Sequence, residues 1–596
     1  MSFARKKTNN HKGIMPRMLR FTALLLVMCV LVSIVSPETA SAYRPPRTTL
    51  RIGLNWGNTA VPSANFINEV GSGYEFGFYD ASLNFTRVAT TTETRISVMV
   101  DHNMRWNAGG SFSGQFESFG TGQPPSGAPT VGFIHWRINS GRSTLAQAQA
   151  DISGIPGGFI RFQANSGGGN FVPLYGNFTN DSAANAARRS GAHTRDVGTG
   201  RTIAVTRLGT NDMLFEFDNT GNTARIFGIR PMGSGRLSTH FRGERYYGGF
   251  RFERRVNNAL TVVNIINVED YIRGVVPYEM SSSWPLEALK AQAICARTYA
   301  IRTLNKHNSH GIDLCAEMCC QVYRGRRAAT ARTNQAVDET RAMYVLHNGV
   351  LAETLYASSH GGGSENNENI WQGTPRPYLR GVVDNYEDRV AHRIANHNWT
   401  FTISQAAVTQ RVRNAGHPNA STIVSMHVSQ YSPTGNVVSV VMRDSNGRSY
   451  TFSRRAGLQA AFGAIRSQRF NIGSTQWQQG GQILANAPAQ NVNTTQFHLV
   501  GGSTAGEAVS TSVTGTLVAI DGTNTHRNVT ASGASRITQG SPTSPANGNF
   551  TLQGRGWGHS LGMSQWGALA QAEMGRTAEQ IIRHYYTGVQ VVRASG

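Results

Sequence analysis

The stretch VEDYIRGVVPYEMSSSWPLEALKAQAICARTYAI, residues 268–301, decides how this chain is read. Its second half carries Leu286, Leu289, Ala293, Ala296 and Ala300, with Leu304 just beyond, at the spacing of one helix face. Pro285 is tolerated in a first helical turn, Ser283 stands just before it, and Glu287 suits the positive end of the helix dipole. The spacing predicts a long, Ala-rich, buried helix, with Arg297 and Arg302 near its negative end. The first half follows ALTVVNIIN (259–267), and the two together read as strands entering a turn.

Downstream, AMYVLHNGVLAETLYASSHGGG (342–363) reads as a hairpin turning at Asn348-Gly349 and ending in a Gly-rich loop. SVVMRDSNGRSYTFSRR (439–455) is a second hairpin, turning at Asn446-Gly447. Residues 478–550 are rich in Gly, Ser, Thr, Asn and Ala without a period, as in a low-complexity insertion. The chain closes with a Gly-rich loop and two short helices in GRGWGHSLGMSQWGALAQAEMGRTAEQIIRHYYTG (554–588).

Upstream, residues 43–127 hold short alternating runs and read as a β-rich region. From about 128 a pseudo-repeat begins. GFIHWRI, STLAQAQADI and GFIRFQA read as strand, helix and strand, and FVPLYG, DSAANAARR and RTIAVTR repeat that order. Two βαβ halves make a ferredoxin-like layout. At the start, six basic residues precede the apolar run FTALLLVMCVLVSIV, and Ala40-Ser41-Ala42 follows it. That order is a signal peptide's, with an uncleaved membrane anchor as the alternative. The bulk of the chain is expected outside the cytoplasm, secreted to the wall or anchored facing outward.

The formal net charge is +22, yet charged residues are only 15% of the 596. A basic surface seeks an anion. Outside the membrane that means wall polymers and lipid head groups, and no helix-turn-helix, zinc finger or RNA-binding signature accompanies the charge, so nucleic acid is excluded. Past residue 42 only Lys290 and Lys306 are lysines in an Arg-dominated chain. Lys290 and Arg297 are seven apart and share a helix face, fit to bind a ligand carboxylate or to position a nearby one; Tyr299 joins them on that helix.

Cys315, Cys319 and Cys320 crowd into LCAEMCC, with His307 and His310 just upstream. The density fits a tetrahedral N/S metal site, with Cys315, Cys320 and His310 as preferred ligands and Cys319 as a further one. A disulfide from Cys315 to one of its neighbours, or free thiols, are the alternatives. Cys295, mid-helix, reads as a small buried hydrophobe.

Four blocks resemble the SpoIID/LytB family: 268–301; CCQVYRG (319–325); YASSHGGGSENNENIWQGTPRPYLRGV (356–382); and GRGWGHSLGMSQWGALAQAEMG (554–575). FVPLYGNFTNDSAANAA (171–187) resembles a SPOR domain, which implies binding of glycan strands. The fold class expected is α+β and multidomain: a signal segment at 1–42, the β-rich region at 43–127, a ferredoxin-like SPOR-like domain at 128–235, and a mixed α/β SpoIID-type catalytic domain at 236–596.

The family resemblance implies action on peptidoglycan. SpoIID-like members are lytic transglycosylases on denuded glycan strands; LytB-like members are enhancers of a wall amidase. In the family the Glu of the VVPxEM block is the catalytic acid, which matches Glu279 here. Such an acid needs a raised pKa, and Val275, Val276, Tyr278, Met280 and Trp284 around it would supply desolvation. Glu269 and Glu287 are rival carboxylates, better explained by a structural turn and by the helix start. Ser358, Ser359, Gly361 and Gly362 read as a small-residue loop that lets a sugar approach the backbone, with His360 within it. Glu365 and Glu368 follow, and Trp371 offers a stacking platform. His559, Gly562, Gln565 and Trp566 come from the last block, where relatives read GHGVGMSQ, so Ser560 and Leu561 depart. The Gly-flanked His559 suits substrate contact, orientation of the acid, or a satisfied core histidine. No cofactor is required for 1,6-anhydro formation; some SpoIID-like members place a structural zinc ahead of the QVY block. The partners implied are glycan strands, possible help to a wall amidase, and a membrane only if the N-terminal segment is uncleaved.

Overall fold

The computed structural model describes residues 43–473 and 542–595, apart from 110–113, 121–126, 192, 256 and 396, together with a strand pair at 517–520 and 526–529. The N-terminal segment and most of the 478–550 stretch lie outside the described residues. Among the described residues no helix is long and apolar enough to cross a membrane.

Two large sheets form the N-terminal half. The first runs Leu314–Cys315, Thr49–Asn55, Ala259–Asn267, Gly249–Arg255, Ile226–Met232, Gly73–Tyr79, Phe85–Thr91 in spatial order. Thr49–Asn55 pairs antiparallel with Ala259–Asn267, Leu50 opposite Ile266. Strands from 43–127 therefore share sheets with strands from later parts of the chain, and the cuts expected near 127 and 235 do not fall between sheets. One apolar core gathers residues from Leu50 near one end of the chain to Val589 near the other, leaving the stretch from Trp399 to Leu552 to a core of its own.

The second sheet has ten strands. At one end, Thr194–Asp196, Ile134–Arg137, Gly168–Phe178 and Gly158–Asn165 lie side by side, each pair antiparallel. With helices Leu145–Ile152 and Asp181–Ala186 between them, this is the order of a split βαβ unit. Its last strand is Thr194–Asp196, not the RTIAVTR segment expected. Ile203–Arg207 pairs instead with Met213–Asp218 and Arg95–Val100. The reason is burial: four of its five residues are inside, as in a central strand covered on both faces.

VEDYIRGVVPYE is a helix, Val268–Glu279, and not a turn. The Asn267 side chain accepts the Glu269 N–H at 2.9 Å as its cap, and Glu269 and Asp270 occupy its first turn. Tyr271, Ile272, Val275 and Val276 bury one face, and Pro277 falls in the last turn. The Ala-rich helix follows as Leu286–Arg302, with Pro285 as its cap residue; from Ala288 to Ile301 every residue but Lys290 is buried. Its small side chains let five elements close around it: Val268–Glu279, Ala331–Glu339, Met343–His347, Gln565–Glu573 and Ala578–Tyr585.

The Asn348-Gly349 hairpin joins Met343–His347 to Val350–Leu351. The Asn446-Gly447 hairpin belongs to a separate unit spanning Trp399 to Leu552 with its own core.

Candidate active site

Glu279 ends its helix half-buried against the Ala-rich helix's neighbours. The backbone N–H of Val322 donates to its Oε1 at 3.2 Å, and the Gln565 amide donates to its Oε2 at 3.2 Å. The Tyr356 hydroxyl also lies beside the carboxyl group. Tyr356 donates to Gln321 Oε1 at 2.8 Å, and the Gln321 amide reaches Tyr271 and the Ala296 carbonyl. Gln565 further approaches Gln292. All four sequence blocks thus meet at one carboxyl group.

Burial raises the Glu279 pKa, and the hydrogen bonds from Val322 and Gln565 oppose that rise only in part. Among the described residues its partners are neutral donors and no ion pair reaches it. The rival carboxylates differ. Glu269 is gripped by Arg297 through two bonds of 3.0 and 2.8 Å and also accepts the Ala342 N–H. Glu287 pairs with Lys290 at 2.8 Å and accepts the Ala578 N–H at 2.7 Å. Both carboxylates are committed to packing.

Several expected ligands of the substrate are therefore committed elsewhere. Arg297 is fully buried on Glu269, and Lys290 is shared between Glu287 and Glu339, the latter at 2.5 Å. These two cations position carboxylates. Tyr299 is buried and accepts from Lys306 at 3.3 Å. The Gly-rich loop is not open to a sugar at Ser359, Gly361 or Gly362: it wraps the buried Glu387. Ser359 Oγ donates to that carboxylate at 3.0 Å, the N–H groups of His360 and Gly361 at 2.6 and 2.8 Å, and Ser564 completes the cage. A Cβ at Gly361 would strike Arg555, and one at Gly362 would press on the Arg469 guanidinium. Ser358 uses its carbonyl to accept the Trp566 N–H at 3.1 Å. Glu365 takes Ser432 and Thr434, and Glu368 is bound bidentately by Arg380.

Other expected residues cluster near the acid. Gln565 touches it, and Trp566 packs on Trp284 with centroids 4.7 Å apart. His559 accepts the Leu561 N–H on Nδ1 at 3.0 Å and donates to the Tyr356 carbonyl. Burial holds its pKa down at about 3, so it is a neutral ring that orients the Tyr356 strand. Trp371, 39% exposed, lies 5.2 Å from the His559 ring and offers an aromatic face beside the site. Gly562 is required by the backbone: it sits at φ +67° with the Leu355 carbonyl 2.1 Å from where a Cβ would be. Sequence reasoning did not assign Gln321, Val322 and Tyr356, although all three lie inside quoted blocks.

The cysteine cluster sits next to this network. The Nε2 of His307 and the sulfurs of Cys315, Cys319 and Cys320 all lie within 4.8 Å of one another. His307 takes the place expected for His310: both rings pack on Trp56 at 4.9 Å, but only that of His307 reaches the thiols. His307 precedes the turn Asn308–His310, which carries His310 away from the thiols. All four described cysteines are unbridged. One imidazole and three thiols are a donor set that suits zinc.

Residues 256–347 match the family model of the stage II sporulation protein, SpoIID. An uncharacterized protein of Brachyspira hyodysenteriae is 27% identical over 351 residues, covering 59% of this chain and 73% of its own. The amidase enhancer of Bacillus subtilis is 29% identical over 328 residues, 53% of this chain and 39% of that protein. Stage II sporulation protein D of Bacillus subtilis is 21% identical over 347 residues, 56% of this chain and 76% of that protein. The family match falls on the Val268–Glu279 helix, the Ala-rich helix and the cysteine cluster, and over this part the chain is similar to the SpoIID/LytB family.

Proposed function

We propose that the chain is a peptidoglycan lytic transglycosylase acting outside the cytoplasm on denuded glycan strands, with Glu279 as its acid and base. The observation that carries this reading is a half-buried carboxyl ringed by neutral donors, with its pKa raised. Glu279 gives its proton to the glycosidic oxygen as the bond to the muramic anomeric carbon breaks. The C6 hydroxyl of the same sugar attacks that carbon, and Glu279 takes the hydroxyl proton. One carboxyl serves both steps and no water is consumed, unlike the two-carboxylate glycosidases. Trp371 supplies a face for a neighbouring pyranose, and the split βαβ unit is a candidate SPOR-like glycan-binding element. His307, Cys315, Cys319 and Cys320 would hold a structural zinc, which would cross-link the loop leading into Gln321 and Val322.

The amidase enhancer relative supports a second reading, in which the chain stimulates a wall amidase without cutting glycan. One experiment separates the two. The purified chain and Glu279→Gln are incubated with amidase-treated peptidoglycan, and products are read by mass spectrometry. Anhydro-muramic ends from the wild type alone support the transglycosylase. No such ends from either protein, with faster cleavage by an added amidase from both, would favour the enhancer.

A further inference from the structure

A second cluster, in the ten-stranded sheet, is assigned no role by anything above. His135 on Ile134–Arg137, Asp101 just after Arg95–Val100, and Glu216 on Met213–Asp218 are all buried. In sheet order two strands separate the His135 strand from the Glu216 strand, so the sheet curls to bring these side chains together. His135 Nε2 lies 3.1 Å from Glu216 Oε1 and 3.6 Å from Asp101 Oδ1. These three atoms lie within 4.8 Å of one another.

Their hydrogen bonding is selective. Two of these groups are held from behind: His135 Nδ1 faces the Gly176 carbonyl at 2.6 Å, and Glu216 Oε2 accepts from Arg161 at 2.7 Å. The three converging atoms face only one another and have no hydrogen-bond partner outside the cluster. An Nδ1–H bonded to a backbone carbonyl leaves the Nε2 lone pair free and fixes the ring, which is how metal-binding histidines are oriented. Ligand atoms about 2.0–2.2 Å from a shared tetrahedral ion stand roughly 3.3 Å apart, close to the two separations seen here. Arg161 on Glu216 and a protonated His135 balance the two buried carboxylates when the cluster is empty, and a divalent cation would take the place of the imidazole proton. The loop after Asp196 closes over Asp101 at Gly198, where a Cβ would strike Asp101 Oδ2.

We propose that Asp101, His135 and Glu216 form a buried binding site for a divalent transition cation of the zinc class, distinct from the cysteine cluster. The donor set is one imidazole and two carboxylates, so it is separable from a thiolate site by spectroscopy.

The test uses the full chain, stripped with chelator and titrated with Co2+ alone as the probe. Thiolate-bound cobalt gives intense sulfur-to-metal charge transfer in the near ultraviolet; cobalt on nitrogen and oxygen gives only weak visible bands. The expected result is one equivalent of cobalt beyond that accounted for by charge transfer, lost in Asp101→Asn and in Glu216→Gln. Retention of any charge-transfer band, with an unchanged far-ultraviolet circular dichroism spectrum, checks that the variants are folded. If the wild type binds no cobalt outside the thiolates, or if folded Asp101→Asn binds as much as the wild type, the proposal falls and the cluster is an imidazolium–carboxylate network. The wild-type measurement decides by itself should the variants not fold.

Discussion

The side-chain amide of Gln565 donates to the Glu279 carboxylate at 3.2 Å, across 286 residues of chain. A donor to the ionised form lowers a carboxyl's pKa, so Gln565 restrains the rise that burial imposes. Replacing it with Leu removes the restraint. Gln565→Leu is expected to move the alkaline limb of the pH–rate profile for anhydro-muramic release to higher pH. An unshifted limb would show that the amide does not tune the acid.

Glu279→Gln is expected to reduce release of anhydro products by about 10²-fold or more, the usual scale of general acid–base catalysis, while wall binding in a pull-down persists. Its effect on stability has a definite sign. The folded carboxyl is raised, so its contribution to stability is complete below the ordinary Glu pKa and is lost as pH rises through the raised value. Glutamine does not titrate. The variant's melting temperature, measured against the wild type's, should therefore improve from acid toward neutral pH; a constant difference would count against a raised pKa.

Arg297→Ala is expected to act on folding and not on substrate affinity. It would leave Glu269 buried without its two guanidinium bonds, a loss of roughly 3–5 kcal/mol for a broken buried pair. Denaturant unfolding measures this. Glu269→Gln combined with Arg297→Met should recover part of the loss, whereas a substrate-binding arginine would show no such rescue.

For the cysteine cluster, chelation should lower the melting temperature of the wild type. His307→Ala should abolish zinc retention measured by elemental analysis, and His310→Ala should leave it intact, because His307 joins the three thiols and His310 lies outside their cluster. Equal losses from both variants would refute the ligand set.

Ser560 has a left-handed backbone at φ +60° and a buried hydroxyl without a hydrogen-bond partner. Relief of the backbone strain and removal of the orphan group both favour glycine there. Ser560→Gly is expected to stabilise the chain by roughly 1 kcal/mol in denaturant unfolding. The sequence shows this position only as a departure from GHGVGMSQ; the dihedral angle explains why glycine suits it.

What the sequence makes legible follows the range of the interactions involved. The Ala-rich helix is visible because its apolar spacing is local, and the two hairpins because Asn-Gly turns are. The acid helix is not: its Val, Ile and Tyr content and Pro277 mimic a strand and a turn, and its stop depends on packing. Lys290 and Arg297 do share a face, but spacing says nothing of Glu339 and Glu269, which reach them from other elements. Glu279 and Gln565 were both singled out by motif, while Tyr356 and the Val322 N–H act through placement that only the fold supplies. His307 and His310 are equivalent by spacing, and a three-residue turn decides between them.

The amide that meets Glu279 belongs to the helix Gln565–Glu573, and the strand Gln590–Arg593 that closes the fold pairs with Met343–His347 only after nearly the whole chain is present. A polypeptide interrupted before Gln565 would carry its reactive glutamate without the final donor and without the helix that shelters it. Under the transglycosylase proposal, competence is thus acquired only once the C-terminal helices have been made.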